Sequence, residues 1–269
     1  LHNPSFLKFD AGLAPRIVAR HLVVVSHENF LRPGGHEAFD VAGCLEKIDA
    51  ASVALRKTIA PVSAHNRATV TEWLQTGRGP AGWDVLDRDW FNICDFAQRT
   101  PPDHPADRRG RLSRPGFEKF PSLCDLDRCF PASAERNVIL GADTLIDGDV
   151  RRPHWKLLRF GEMGVDDFFG MIDFMVYFTA PTWRESFGRV IAEAVAAGKV
   201  VISDPATASG FGGAAVAAAP DEVDGIVARM IAAPSLFHRQ VARAQAALTD
   251  YSAPRFLDHF RKTLMEAAG

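Results

Sequence analysis

The apolar positions of the chain fall into two alternating patterns: short continuous runs that suit strands buried on both faces, and longer stretches with helical spacing. The clearest case is residues 172–204. A run at 174–178, bounded by Asp173 and Pro181, predicts a buried strand. The polar turn Thr182-Trp183-Arg184-Glu185 follows, with Ser186 placed to cap a helix. Phe187, Val190, Ile191, Ala194 and Val195 recur on one helical face, Gly198 stops the helix, and Val200-Val201-Ile202 begins the next strand. A helix that opens directly after such a turn lies at the carboxyl end of a parallel sheet, where open α/β folds bind ligands. Its unpaired amides and positive dipole end suit a phosphate.

The same alternation runs through the rest of the chain. Strands are predicted at 21–26 and 58–63, helices at 41–55 and 64–74, and the polar turn Ser26-His27-Glu28-Asn29 follows the first strand. Residues 77–84 and 99–107 are rich in glycine, proline and polar residues, with the aromatic segment 83–96 between them. Thr100-Pro-Pro-Asp-His-Pro105 is the expected hinge, since its prolines hold the chain extended. Beyond it, strands at 138–141, 156–160 and 214–219 and helices at 165–172, 223–233, 237–248 and 254–268 complete the pattern. Alternating strand and helix implies parallel sheets. The domains expected are 1–102, 103–250 and a closing helix at 251–269.

Glu185-Ser-Phe-Gly-Arg-Val-Ile-Ala-Glu193-Ala-Val-Ala-Ala-Gly198 places two carboxylates around that helix start with seven residues between them. On its own, Glu193 four residues after Arg189 reads as an exposed helix pair. With the Phe-Gly pair, the small-residue run and the terminal glycine, the segment resembles the E-x7-E region of family 4 retaining glycosyltransferases. The resemblance implies an α/β, GT-B-like fold of two Rossmann-like parallel-sheet domains facing each other across a cleft, the first partial here. Leu1-His2-Asn3-Pro4 reads as the end of a strand already under way, so the chain is expected to be incomplete at its start.

The segment from Arg108 to Lys119 holds four arginines in seven residues, Arg108, Arg109, Arg111 and Arg114. Read as a cationic turn before a helix, it suits a diphosphate: arginine offers a planar fork and lysine a point charge. It resembles the family loop in which a Gly-Arg and a later Lys hold the donor diphosphate. That gives the roles to Arg111 and Lys119, with Arg114 as substitute, although Lys119-Phe-Pro stands where Lys-Gly is usual. The resemblance further implies that Glu185 bonds sugar hydroxyls, that Glu193 bonds the ribose, and that Ser186, Phe187 and Gly188 frame the helix start. His27 would contact the donor sugar or the acceptor, with His2 and His65 as weaker candidates.

Composition narrows the rest. A chain of 269 residues, 47% hydrophobic, can build two cored domains. A net charge of −2, from 31 basic and 33 acidic residues, exerts no general pull on nucleic acid. The arginine-rich segment also lacks interleaved aromatics, so no nucleic-acid partner is expected. Gly210-Phe-Gly-Gly-Ala-Ala215 satisfies the G-x-G-x-x-A fingerprint, but it neither follows its strand directly nor opens a long helix, so no dinucleotide is expected. Asp166 and Asp167 are adjacent, and no H-x-x-x-H or D-x-D occurs, so no metal is expected. The four cysteines, Cys44, Cys94, Cys124 and Cys129, form no C-x-x-C and read as buried free thiols of a reducing compartment. No apolar run approaches the roughly 18 residues of a membrane span. The expected protein is a cytoplasmic glycosyltransferase of polysaccharide or glycoconjugate synthesis. It takes a nucleotide-diphosphate-sugar as co-substrate and a hydroxyl acceptor, needs no separate cofactor, and has peripheral membrane contact left open. The alternative is a non-catalytic nucleotide-sugar binding module.

Overall fold

The computed structural model describes residues 1–4, 8–9, 13 and 16–268. The chain divides into two compact units. The first comprises the described residues of Leu1–Ile93, Arg184–Phe187 and Pro254–Gly269, and the second Cys94–Trp183 and Gly188–Ala253.

The first unit carries a three-stranded parallel sheet, β1 (Ile17–Ser26), β2 (Ser52–Pro61) and β3 (Trp83–Val85), in that order. Helix α1 (Val41–Ala50) is started by Asp40, whose carboxylate accepts from Gly43 N at 2.9 Å. Its buried residues Val41, Cys44, Leu45 and Ile48 keep helical spacing and pack on Leu22, Val24 and Ile59 of the sheet. Helix α2 (Ala64–Gln75) is capped by Ser63, which accepts from Asn66 N at 3.1 Å, and buries Val70 and Trp73.

The expected helix over 41–55 ends early. The helical apolar repeat stops at Ile48, and from Ser52 the backbone finds its partners in β1 instead, with Ile17 opposite Ser52 and Ala19 opposite Ala54. A ladder of interstrand bonds satisfies those amides, whereas continuing the helix would add no buried residue. At the chain start, Asn3 N donates to Val25 O and Val25 N to Leu1 O, both at 2.8 Å, which makes His2 an isolated parallel bridge to β1.

The second unit holds a six-stranded parallel sheet. In chain order its elements are β4 (Arg108–Leu112), α3 (Leu123–Cys129), β5 (Arg136–Leu140), α4 (Asp143–Asp147), β6 (Trp155–Leu158), α5 (Val165–Gly170) and β7 (Phe174–Tyr177). There follow α6 (Arg189–Ala196), β8 (Val200–Ser203), α7 (Pro205–Ser209), β9 (Ala215–Ala217), α8 (Val223–Ala232) and α9 (Pro234–Ala247). The last helix, α10 (Ala253–Ala268), returns to the first unit from Pro254 on. Helices α3, α4 and α7 have too few apolar positions to show periodicity in the sequence.

The strand order is β6-β5-β4-β7-β8-β9. Every residue of β7 and β8 is buried, as their unbroken apolar runs predict, and Phe174, Val176 and Ile202 share a core with Ile139 and Phe237. Gly110 in β4 is required by packing, since a Cβ there would sit 2.7 Å from Ile172 Cγ2 and 2.9 Å from Phe168 Cζ. The chain winds from β4 to one side and from β7 to the other. Their carboxyl ends therefore form the topological switch point, the place where such sheets bind ligands.

Candidate functional site

The arginine-rich segment is not a turn. Residues 108–112 form an interior strand, and two of its guanidinium groups are consumed by carboxylates. Arg108 donates to Asp173 at 2.8 and 3.0 Å. Arg109, 2% exposed, donates to Asp107 at 2.6 Å, to Asp224 at 2.6 Å and to the Cys129 carbonyl at 2.9 Å. Burial works against its charge, but the hydrogen bonds to Asp107 and Asp224 outweigh it and raise its pKa. A strand interior cannot hold unpaired cations, so the fold supplies the counter-charges.

Arg111, at the carboxyl end of β4, is fully buried. Its guanidinium carbon lies 4.4 Å from the Tyr177 ring centre and 4.8 Å from that of Phe120, and Nη2 donates to the Lys119 carbonyl. Phe120, the residue after Lys119, therefore covers Arg111. Arg114 is exposed.

Lys119 is brought to the loop between β7 and α6. The Glu118 carbonyl accepts from Ala180 N at 3.2 Å, and the Lys119 ammonium lies 4.4 Å from the centre of the Trp183 ring. The loop is closed on itself, with Trp183 N donating to Ala180 O at 2.9 Å and Thr179 Oγ1 to Trp183 O at 3.2 Å. It ends at Gly188, the N-cap of α6, in the left-handed region (φ 82°, ψ 48°), which glycine adopts without strain.

Ser186 was expected to cap α6 and does not; the N-cap is Gly188, which provides no side-chain cap. Ser186 Oγ instead donates to the His27 carbonyl at 2.7 Å, because the left-handed turn at Gly188 takes residue 186 out of capping position. Glu193, on the half-buried flank of α6, accepts from Arg189 Nε at 3.0 Å.

Within the first unit, residues 184–187 lie over the loops that follow β1 and β2. Asn29 Nδ2 donates to the Arg184 carbonyl at 2.9 Å, and Ser63 Oγ donates to the Ser186 carbonyl. Asn66 Nδ2 holds the β1 loop by donating to Glu28 O at 2.7 Å. These bonds bring the half-buried Glu185, Ser186, the buried Phe187 and His27 into one neighbourhood. His27 Nε2 lies 3.3 Å from His2 Nε2, and its pKa is lowered by burial and then by His2, against an upward pull from Glu28. Burial, helped by the nearby Arg184 cation, pushes His65 down to about 4.

Other sequence candidates are occupied elsewhere. Asp166 pairs with Arg99 at 2.7 Å, and Asp173 is buried on Arg108 and the Ala106 amide. Residues 210–213 form the turn between α7 and β9, with Phe211 buried. The cysteines are free, but Cys124, in the short α3, is exposed while the other three are buried. The segment 99–103 is bonded along its length, Arg99 N to Ala196 O at 2.7 Å and the Pro102 carbonyl to His238 Nε2 at 3.1 Å. Among the described residues, no helix is long and apolar enough to cross a membrane, and no three His, Cys, Asp or Glu side chains are grouped to hold a metal ion. The sequence reading passed over Tyr177, at the end of β7, and Trp183, within the β7–α6 loop, whose rings lie against Arg111 and Lys119.

No family model and no curated protein matches the sequence. Solved structures do match. Anabaena HepE, in complex with UDP and glucose, superposes with a TM-score of 0.64 at 18% identity over 92% of this chain and 72% of that one. The fold is GT-B. A UDP-forming α,α-trehalose-phosphate synthase from Burkholderia xenovorans gives 0.62 at 13% identity over 100% and 73%. The pneumococcal O-GlcNAc transferase GtfA, in complex with UDP and GlcNAc, gives 0.60 at 14% over 92% and 53%.

Proposed function

We propose that this chain transfers a sugar from a nucleotide-diphosphate-sugar to a hydroxyl acceptor with retention of configuration, in the synthesis of a polysaccharide or glycoconjugate. One observation carries the reading. At the switch point of the six-stranded sheet, the Lys119 ammonium is held on the loop that runs directly into the α6 N-terminus, and no side chain caps that helix. Cation and helix dipole at one sheet edge suit the diphosphate of such a donor. UDP is the nucleotide in the HepE and GtfA structures, which supports a donor of this class.

In this reading Lys119 and the amides of the α6 first turn neutralise the charge that grows on the departing diphosphate as the glycosidic bond to it breaks. Preorganised charge of this kind often supplies the largest share of catalysis. Arg111, sealed between two rings, contributes its fixed charge from behind the strand end, and Arg114 is the exposed second cation. Glu193, one turn into α6, takes the ribose hydroxyls. Glu185, just ahead of the helix in the chain, takes sugar hydroxyls. His27, whose carbonyl binds Ser186 beside it, contacts the sugar or the acceptor. The lowered pKa keeps His27 neutral near pH 7, able to donate one hydrogen bond and accept another.

The test is a panel of UDP-, GDP- and ADP-sugars read by thermal shift, since a ligand of the native state raises the melting temperature. Product analysis with simple acceptors follows. A donor that stabilises the chain and is consumed supports the reading. If no nucleotide-sugar shifts the transition, the reading is wrong; a donor that binds but is never turned over makes the chain a binding module.

A further inference from the structure

A groove that the functional reading does not use lies wholly within the second unit, beside the hairpin of α8 and α9. It measures about 1040 Å³ and is lined by those two helices and by Val216 and Ala217 of β9, the outer strand of the six-stranded sheet. Its apolar lining includes Ile226 and Met230, four apart on α8, and Leu236, 39% exposed in the first turn of α9. The charged lining is one-sided: Arg229, Arg239 and Arg243 face a single carboxylate, Glu222. Glu222 is already engaged, accepting from Ala219 N at 2.7 Å. All three arginines are exposed, and among the described residues none has a carboxylate partner. Elsewhere in this unit arginines do find one: Arg152 on Asp127, Arg159 on Asp147, Arg189 on Glu193. The groove is also braced. Gln240 Nε2 donates to the Gly213 and Ala214 carbonyls at 3.3 and 3.2 Å, tying α9 to the chain that enters β9. The Arg243 guanidinium lies against Gly213, where a Cβ would come within 2.4 Å of Nη2.

We propose that this groove docks an acidic peptide segment of a partner protein, one that carries apolar side chains among its carboxylates. The inference goes beyond the sugar-transfer reading and does not depend on it. Charge complementarity is the first argument. Arg239 and Arg243 are four residues apart, so they leave one face of α9 about one turn, or ~6 Å, from each other. Carboxylates two residues apart in an extended segment are spaced by about 7 Å, and one turn apart in a helix by about 6 Å, so either form reaches both arginines. Guanidinium is the cation best suited to this, since its planar fork matches a carboxylate and it sheds water more readily than an ammonium. The apolar lining is the second argument, and it selects a peptide among polyanions. A lipid surface is flat on this scale and meets protruding tips rather than a recess. Single-stranded nucleic acid stacks its bases on aromatic rings, and none lines the groove. A peptide can set apolar side chains on Ile226, Met230 and Leu236 while its carboxylates meet the arginines at the rim, the usual division of an interface into apolar core and polar edge.

The experiment uses the full chain and a short fluorescein-labelled peptide of glutamate, leucine and serine, followed by polarisation. Two control peptides replace every glutamate by lysine or every leucine by serine. The variants are Arg239→Glu/Arg243→Glu, the milder Arg239→Gln and Leu236→Ser, all at exposed positions and each checked by its melting curve. The acidic peptide is expected to bind and the lysine peptide not to. The double charge reversal should weaken binding about tenfold or more, and added salt should weaken it in wild type. Arg239→Gln should cost about threefold. Leu236→Ser, and separately the peptide without leucine, should each cost about threefold or more. Anionic vesicles of phosphatidylserine and phosphatidylcholine, and a single-stranded oligonucleotide, form the other arms. No binding of the acidic peptide at millimolar concentration overturns the proposal. So does binding that survives the double reversal, or a lysine peptide that binds as well. Vesicles or oligonucleotide held through Arg239 and Arg243 more tightly than the peptide would also overturn it, and would give the groove to that class of partner.

Discussion

Arg189 Nε donates to the Glu193 carboxylate at 3.0 Å, one turn further along α6, with Glu193 28% and Arg189 59% exposed. The same guanidinium lies 5.2 Å from the centre of the Phe96 ring. As a stabilising element the pair is worth little, about 0.5 kcal/mol or less. It orients the Glu193 carboxylate on the flank of the helix where a ribose would be read. Glu193→Ala is expected to leave the melting temperature almost unchanged and to weaken nucleotide binding about tenfold. Calorimetry with a nucleoside diphosphate measures the second effect, and equal affinity would remove Glu193 from the site.

Glu185 gives the sharpest test of transfer. Glu185→Ala should cut turnover about a hundredfold or more while the fold, followed by circular dichroism and melting, survives. Unchanged turnover would sink the role assigned to this carboxylate.

The arginines of 108–114 should separate cleanly. Arg109→Ala leaves a cavity and strips Asp107 and Asp224 of their shared cation, so a loss of about 3 kcal/mol in urea unfolding is expected. Arg114→Ala, at an exposed position, should unfold like wild type and affect only ligand binding.

Gly141 has φ +82°, and a Cβ there would run into the Ser113 carbonyl oxygen. Gly141→Ala combines a left-handed backbone with a backbone clash and should cost more than about 2 kcal/mol. Because both residues follow strand ends in the six-stranded sheet, nucleotide affinity should fall along with stability.

Acid should destabilise the first unit through His65. Its pKa is about 4 when folded, through burial and then Arg184, against an ordinary 6.5 when unfolded. The unfolded chain therefore takes up a proton first, and stability present at pH 7 is lost as pH falls from about 6.5 to about 4. His27, also lowered, acts with the same sign. Melting curves at pH 7 and pH 5 should show the drop, and His65→Gln should flatten it. An unchanged slope in the variant would assign the acid sensitivity to other groups.

Most of the fold was legible along the chain. Unbroken apolar runs such as 174–177 and 200–203 must be buried on both faces, and helical spacing at Ile191, Ala194 and Val195 must face a core; both follow from local geometry. The segment 108–112 was not legible, since four charges in seven residues look like solvent-facing loop. What makes it a strand is distant: Asp224 stands 115 residues from Arg109, and Asp173 stands 65 from Arg108. The early end of α1 was hidden for a similar reason, because the bonds that turn 52–55 into strand come from β1.

By itself, then, the sequence determined which residue types surround the helix start of α6, since Glu185, Gly188 and Glu193 are fixed there by chain spacing alone. The tertiary structure decided which cations reach that place. It buried Arg108 and Arg109 against carboxylates and sealed Arg111 between Phe120 and Tyr177. It also carried Lys119 onto Trp183, across a loop contact that no local pattern encodes. Charge is expensive to bury and cheap to leave in water, so the fate of each arginine depended on partners that only folding brings near.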